Sequence, residues 1–329
     1  MALVVVGSIW PALSSLWPTR WTSQSPTEFP AAVERYYRAV AAATEAAPVS
    51  SFVHCGHRAG SYQEFAKNLQ LGQPLAPRSV VELMDRAFDE RGLNAIEIDL
   101  RASPFNEREV VVVHDAVDGA ALDDAGRRYV EENTARAVLR HFLAQGHHER
   151  GRRLVFELKA PLEGLDDEAR AAIDRFAAAL SEQLAGRPDE EVARRRIDVI
   201  SFSFEALERL HQALGADAGG HGFMPIITTD RYPEWLVRLA SQTPFSRAVK
   251  ARLRELPWLT GVYFDPRFVK DFGALFNGIN DDREANDLTA LEMHVSTYSH
   301  ELDELVARLR AQREPLRNVR GLIYQIRKD

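Results

Sequence analysis

From residue 50 onward, short apolar runs rich in β-branched residues alternate with longer segments whose apolar positions recur every three to four residues. The short runs fall at 51–54, 95–100, 153–158, 197–202, 223–228, 260–264, 293–298 and 320–325. Helical periodicity fills the spaces between them: Ser79 to Arg91, Asp167 to Leu184, Phe204 to Leu214, Tyr232 to Leu253, a less regular stretch around Phe268 to Leu291, and Ser299 to Gln312. Ser79 with Glu82 three residues on has the form of a capping box, whereas Ser299 has Leu302 where the reciprocal acid would stand. Repeated strand–helix alternation predicts a parallel sheet, and eight such units predict closure into a TIM (β/α)8 barrel, an α/β fold. The alternative, an open doubly wound sheet, lacks the Gly-x-Gly-x-x-Gly turn that would support a dinucleotide site.

Two segments depart from the alternation. Residues 101–150 hold a further β-branched run ending at His114, an Asp- and Gly-rich turn from Asp118 to Gly126, and one helical stretch from Tyr129 to Gln145. This reads as an insertion after the second strand. Residues 1–49 read as an N-terminal extension to a barrel of residues 50–329, with Glu28 to Ala47 helical. Within the extension, Ala2 to Trp17 is mostly apolar but interrupted by Pro11, short for a membrane span and without a leading positive cluster. A packed arm, an export signal and an interfacial anchor are all open readings, so the compartment stays undecided between cytoplasmic and exported or membrane-associated.

Chemistry concentrates at the ends of the apolar runs. In Asn94-Ala95-Ile96-Glu97-Ile98-Asp99-Leu100 two carboxylates stand two residues apart, so a strand would project both from one face, roughly 6–7 Å apart. Two buried like charges repel each other and lose hydration, a cost that a hard metal ion would offset. The first run leads into His57-Arg58-Ala59-Gly60, the run Val110 to Val113 into His114-Asp115, and the third barrel run into Glu157-Leu158-Lys159. Each fragment alone has a plainer reading as a surface charge pair or a structural histidine. Their succession at strand termini, where α/β folds place their chemistry, favours a shared site.

In order and approximate spacing, these four fragments resemble the glycerophosphodiester phosphodiesterase family of phospholipase-C-like barrels, which shows His-Arg-Gly, Glu-x-Asp, His-Asp and Glu-x-Lys. The resemblance spans about residues 50–325 and is specific in its first third. It implies a metal-dependent phosphoric diester hydrolase in which Glu97, Asp99 and Glu157 hold one Mg²⁺ or Ca²⁺, Arg58 and Lys159 bind phosphate, and His57 and His114 exchange protons. It further implies weaker contacts from Ser203, Tyr263 and Tyr298 to the alcohol, and a small-molecule or lipid-derived phosphodiester as substrate. The loops differ from the family: Ser61 to Asn68 replaces Pro-Glu-Asn-Thr, Ala116-Val117 replaces Arg-Thr-Thr, and the last strand lacks Thr-Asp-Pro. Cleavage of a lysophospholipid or sphingolipid, in the manner of sphingomyelinase D, and a non-catalytic phosphate-binding barrel are therefore alternatives.

Composition narrows the rest. A net charge of −7 argues against a nucleic-acid footprint, and the single cysteine, Cys55, excludes an internal disulfide and a cysteine-rich zinc site. Membrane contact through the apolar N-terminus stays open. The arginine clusters near 150–153 and 194–196, with His147 and His148, read as solvated loops and helix ends; Cys55, His221 and His294 read as structural.

Overall fold

The computed structural model describes residues 29–59, 78–161, 164–227, 244–266, 271–298 and 302–325. The N-terminal apolar run, Asn68 and the first half of the stretch from Tyr232 to Leu253, up to Thr243, lie outside these residues. Among the described residues nine strands form one sheet: β1 (Val53–Gly56), β2 (Ala95–Ala102), β3 (Val110–Val112), β4 (Arg153–Leu158), β5 (Ile197–Ser201), β6 (Gly222–Ile227), β7 (Gly261–Phe264), β8 (Glu292–Tyr298) and β9 (Val319–Gln325). All pairings are parallel except that of β3, which runs antiparallel to β2, and β1 pairs with both β9 and β2. The eight parallel strands thus close into a barrel, with β3 as a short hairpin partner at the mouth.

Helices separate the strands: α1 (Phe29–Ala41), α2 (Val80–Asp89), α3 (Asp124–Glu132), α4 (Ala135–Ala144), α5 (Asp167–Leu184), α6 (Glu190–Arg194), α7 (Phe204–Leu214), α8 (Pro244–Glu255), α9 (Phe272–Glu284) and α10 (Leu302–Arg310). Alternation along each strand splits the apolar residues into two sets. Val53, Cys55, Ala95, Val155, Ile200, Met224, Tyr263 and Ile323 pack inside the barrel, and the larger cluster packs between sheet and helices. Gly321 shares the inward parity of Ile323, and the position takes glycine because a Cβ there would stand 2.6 Å from His294 Nδ1 and 2.9 Å from Val53 Cβ.

Several local expectations are revised. The helix from Tyr129 to Gln145 is two helices, because Asn133 leaves helical geometry and Thr134 starts a new helix by accepting from the Ala137 amide at 3.2 Å. Ser79 makes no side-chain cap. Asn133 Oδ1 does that work from 53 residues away, accepting from Val80 N–H at 2.7 Å, a long-range substitute for the local box. His147 and His148 are 1% exposed rather than solvated, bonded to Asp85 and Asp189. Arg153 lies within β4, paired with Asp198, and Arg194 is buried and paired with Glu190 and Asp217. The extension's helix covers 29–41, its Tyr36 ring stacked on Tyr324.

Asn133→Ala should cost about 1–2 kcal/mol of unfolding free energy in urea titrations, since it strips the cap of α2. His54 is buried with Nδ1 2.8 Å from Tyr324 Oη, and burial lowers its pKa to about 4. The unfolded chain, with histidine near 6.5, binds the extra proton between these values, so this stability is complete above about pH 6.5 and is lost as pH falls to 4. His54→Gln should flatten that part of the stability–pH profile; an unchanged slope would refute the assignment.

Candidate active site

The barrel's polarity gathers the four sequence fragments at one end. β2 and β4 run side by side with Asp99 opposite Glu157 and Glu97 opposite Val155, all on the inward-facing parity. Glu97 and Asp99 are wholly buried and Glu157 nearly so. Three carboxylates in this volume need positive charge. Lys159, two residues beyond Glu157 on the same face, places Nζ 2.8 Å from Asp99 Oδ1 and in direct contact with Glu157 Oε1. Arg58 approaches Asp99 Oδ2 through Nε at 3.6 Å.

Backbone geometry after β1 completes the arrangement. Arg58 and Ala59 both adopt left-handed conformations, with φ of 52° and 53°, uncommon for residues bearing a Cβ. The turn aims Arg58 N–H at Glu97 Oε2 (3.0 Å) and Ala59 N–H at the Glu97 carbonyl (2.8 Å). Strain of this kind, on the order of 1–3 kcal/mol per residue, is typical of functional sites. It also brings His57 Nε2 to 3.5 Å from Glu97 Oε2.

His114 arrives by another route. The β2–β3 hairpin donates Val113 N–H to the Asp99 carbonyl at 3.1 Å, which sets the next residue beside the carboxylates. Arg101 Nε donates to the His114 carbonyl at 2.7 Å, and Asp115 Oδ1 lies 2.7 Å from His114 Nδ1. Arg101, which the sequence reading missed, thus holds the His114 backbone, while Asp115, already part of the His114-Asp115 motif, engages its ring. Strand parity from Glu97 and Asp99 pointed to Arg101, but the predicted strand stopped one residue short of it.

The electrostatics follow from burial and neighbours. Burial, reinforced by Asp99 and Glu157, raises the Glu97 pKa well above the carboxylate range, and burial raises Glu157 as well. For Asp99 burial acts upward too, yet Lys159, His114, Arg58 and His57 outweigh it and hold the pKa below the ordinary range. Burial, with Arg58 next, lowers His57 well below 6.5; burial likewise lowers His114, to about 4, against the upward pull of Asp99. Both imidazoles are thus neutral near pH 7 in the ligand-free protein.

A divalent cation suits this donor set. Donor atoms of His57, Glu97 and Glu157 lie within 4.8 Å of one another, and Glu97 Oε1 is buried without a hydrogen-bond partner. Asp99 is outside that trio, engaged by Lys159 and Arg58, so the ligand set Glu97, Asp99 and Glu157 would require Lys159 to give way. The weaker candidates fare differently. Ser203 Oγ caps α7, accepting from Ala206 N–H. Tyr263 belongs to the barrel interior with Cys55 and Met224, 1% exposed and stacked on His294, below the mouth rather than lining it. Tyr298 ends β8, and its side chain lies outside the described residues.

Volume alone would point elsewhere. A cavity of about 700 Å³ opens where the strands begin, bordered by Arg153, Asp198, His221, Glu292 and Arg320, with Arg153 and Asp198 already paired at 2.9 Å. The paired imidazoles and carboxylates are at the opposite end, the end where barrels of this kind place chemistry.

No family model matches the chain, and no curated protein matches it. Among solved structures it is similar to a "Putative glycerophosphoryl diester phosphodiesterase" from Silicibacter pomeroyi DSS-3, at 15% identity and TM-score 0.48, over 87% of this chain and 93% of that one. A glucosidase from Croceicoccus marinus shares 9% identity at TM-score 0.35, over 70% of this chain and 53% of that one. Likenesses of this degree carry no functional argument, and the reading below rests on the side chains.

Removing Lys159 would leave Glu157 without its ion pair and Asp99 with Arg58 alone. Lys159→Met should lower the unfolding free energy by about 3–5 kcal/mol in EDTA, and millimolar Mg²⁺ or Ca²⁺ should recover part of it. Equal stability with and without the cation would show that the carboxylates form no cation site.

Proposed function

We propose that the chain is a metal-assisted phosphodiesterase that hydrolyses a glycerophosphodiester to an alcohol and glycerol phosphate. One observation carries the reading: His57, Arg58, Glu97, Asp99, His114, Glu157 and Lys159 converge at the C-terminal mouth of one closed barrel, pairing two imidazoles with three carboxylates and two cations. A phosphodiester anion resists attack, so its hydrolysis needs charge neutralisation, a base for the nucleophile and an acid for the leaving alkoxide. Glu97 and Glu157, joined by Asp99 once Lys159 gives way, would hold Mg²⁺ or Ca²⁺. Such an ion supplies Lewis-acid stabilisation of the phosphoryl oxygens.

The remaining roles belong to the protein. Arg58 offers a planar fork and Lys159 a point charge to the non-bridging oxygens. His57, neutral at pH 7, takes a proton from the nucleophile, either water or the substrate's neighbouring glycerol hydroxyl. The new P–O bond forms as the bond to the alcohol breaks, and His114 gives its proton to the departing oxygen. Asp115 favours the protonated form of His114, which suits it as the acid. The substrate's own negative charge raises both imidazoles from their low ligand-free values. Where attack is internal, the cyclic phosphate is opened by water with the two roles reversed.

The test is hydrolysis of glycerophosphocholine and bis(p-nitrophenyl) phosphate with EDTA, then with Mg²⁺ or Ca²⁺. His57→Ala and His114→Ala should each lower kcat by about 10²–10⁴ while retaining the fold. For the p-nitrophenyl ester, whose leaving group needs no proton, the loss in His114→Ala should be much smaller. Absence of turnover on every diester by folded protein with either ion would favour a phosphate-binding barrel instead.

A further inference from the structure

The pair His147-His148, which the candidate active site does not use, stands just past the C-terminus of α4. Gly146, at a φ of 63°, turns the chain there, and the amides of Gly146 and His147 reach back to the carbonyls of Leu143 (3.0 Å) and Phe142 (3.2 Å). A left-handed glycine with these two bonds is the Schellman close of a helix. It folds His147 back against the last turn of α4, which carries His141. The His147 side chain is 1% exposed, its ring packed on Phe88 of α2 and Phe142 of α4 with centroids 4.9 and 5.8 Å away.

Both imidazoles meet one carboxylate. Asp85, on α2, has Oδ1 2.9 Å from His147 Nε2 and 3.1 Å from His141 Nε2, and its Oδ2 is 3.0 Å from His141 Nε2. The ligands of a tetrahedral zinc ion, each about 2.0–2.1 Å from the metal, stand roughly 3.3 Å from one another, so these separations are close to the edges of such a shell. One donor atom from each of the three residues lies within 4.8 Å of the other two. The Asp85 and His141 side chains are 39% and 24% exposed, so an ion enters from solvent and water completes its coordination. Arg150 is the competitor for His147: its Nη2 donates to Nδ1 at 2.7 Å and to the Gln145 carbonyl at 3.1 Å. A guanidinium only donates, so this bond places the His147 proton on Nε2, facing Asp85. An ion on Nε2 needs that proton on Nδ1, and Arg150, which is exposed, turns out to solvent to allow it.

We propose that Asp85, His141 and His147 bind a divalent transition-metal ion, Zn²⁺ by the chemistry of the donors, on the outside of the barrel. Two imidazoles and one carboxylate suit zinc and its neighbours, whereas Mg²⁺ and Ca²⁺ seek oxygen ligands such as the carboxylates of the mouth. The ion ties the middle of α2 to the end of α4, as Asn133 ties the first turn of α2 to the junction of α3 and α4. The site shares no residue with the mouth and does not depend on the phosphodiesterase reading.

The experiment is titration of the full chain with Zn²⁺, after stripping with EDTA and exchange into buffer with millimolar Mg²⁺, read by calorimetry and by metal analysis after dialysis. The wild type should bind one more equivalent of Zn²⁺ than His141→Gln, whose amide keeps a hydrogen bond to Asp85 but is a poor zinc ligand. Asp85→Asn should lose the same equivalent, and Zn²⁺ should raise Tm further in the wild type than in either variant. Arg150→Ala should keep the equivalent at equal or higher affinity, because His147 Nδ1 is then free to carry its proton. Zinc held by the mouth carboxylates cancels from each comparison, since none of these substitutions touches them. Equal stoichiometry in the wild type and His141→Gln, both folded by circular dichroism, overturns the site, as does an equivalent lost or weakened in Arg150→Ala.

Discussion

The contact of Lys159 with Asp99 and Glu157 is the interaction on which the mouth of this barrel depends. The parallel register of β2 and β4 sets the two carboxylates directly opposite each other, and closure removes both from water. Like charges so placed would work against the pairing that makes the barrel, were a cation not built into the same strand. Lys159 supplies it from two positions beyond Glu157, the spacing at which strand residues share a face. The same ammonium competes for the oxygens that a divalent ion would take. Stability of the free protein and readiness for an ion are thus drawn from one set of oxygens.

The other groups are placed by backbone rather than by side-chain choice. Two successive left-handed residues after β1 turn the amides of Arg58 and Ala59 onto Glu97, and this turn fixes where His57 points. The hairpin partner of β2 carries His114 to the rim, anchored through its carbonyl by Arg101. Residues separated by a hundred positions along the chain are therefore held by hydrogen bonds to one strand, β2. Barrel closure aligns strand ends, and chemistry collects there because the strand cores below are filled with apolar side chains.

The mouth gathers the buried carboxylates of β2 and β4 around Lys159. The cavity at the opposite end borders an internally paired arginine and aspartate and none of the paired imidazoles. Cavity volume and chemical competence are separated by the full length of the barrel.

Much was legible along the chain. The eight apolar runs, the exact extents of α5 and α7, and the strand-end motifs at His57, Glu97, His114 and Glu157 follow from periodicity and from the cost of burying charge. Those are properties of neighbours within a few residues, which the sequence by itself determines. Contacts between distant segments were not legible in this way. Asn133 replaces Ser79 as the cap of α2, His147 and His148 are buried by Asp85 and Asp189, Tyr263 packs beneath the mouth, and Asp99 turns to Lys159 and Arg58. Each depends on which strands lie side by side and at what register, and only closure of the barrel decided that, because a hydrogen bond or ion pair has no sequence signature until its partner is brought within about 3 Å.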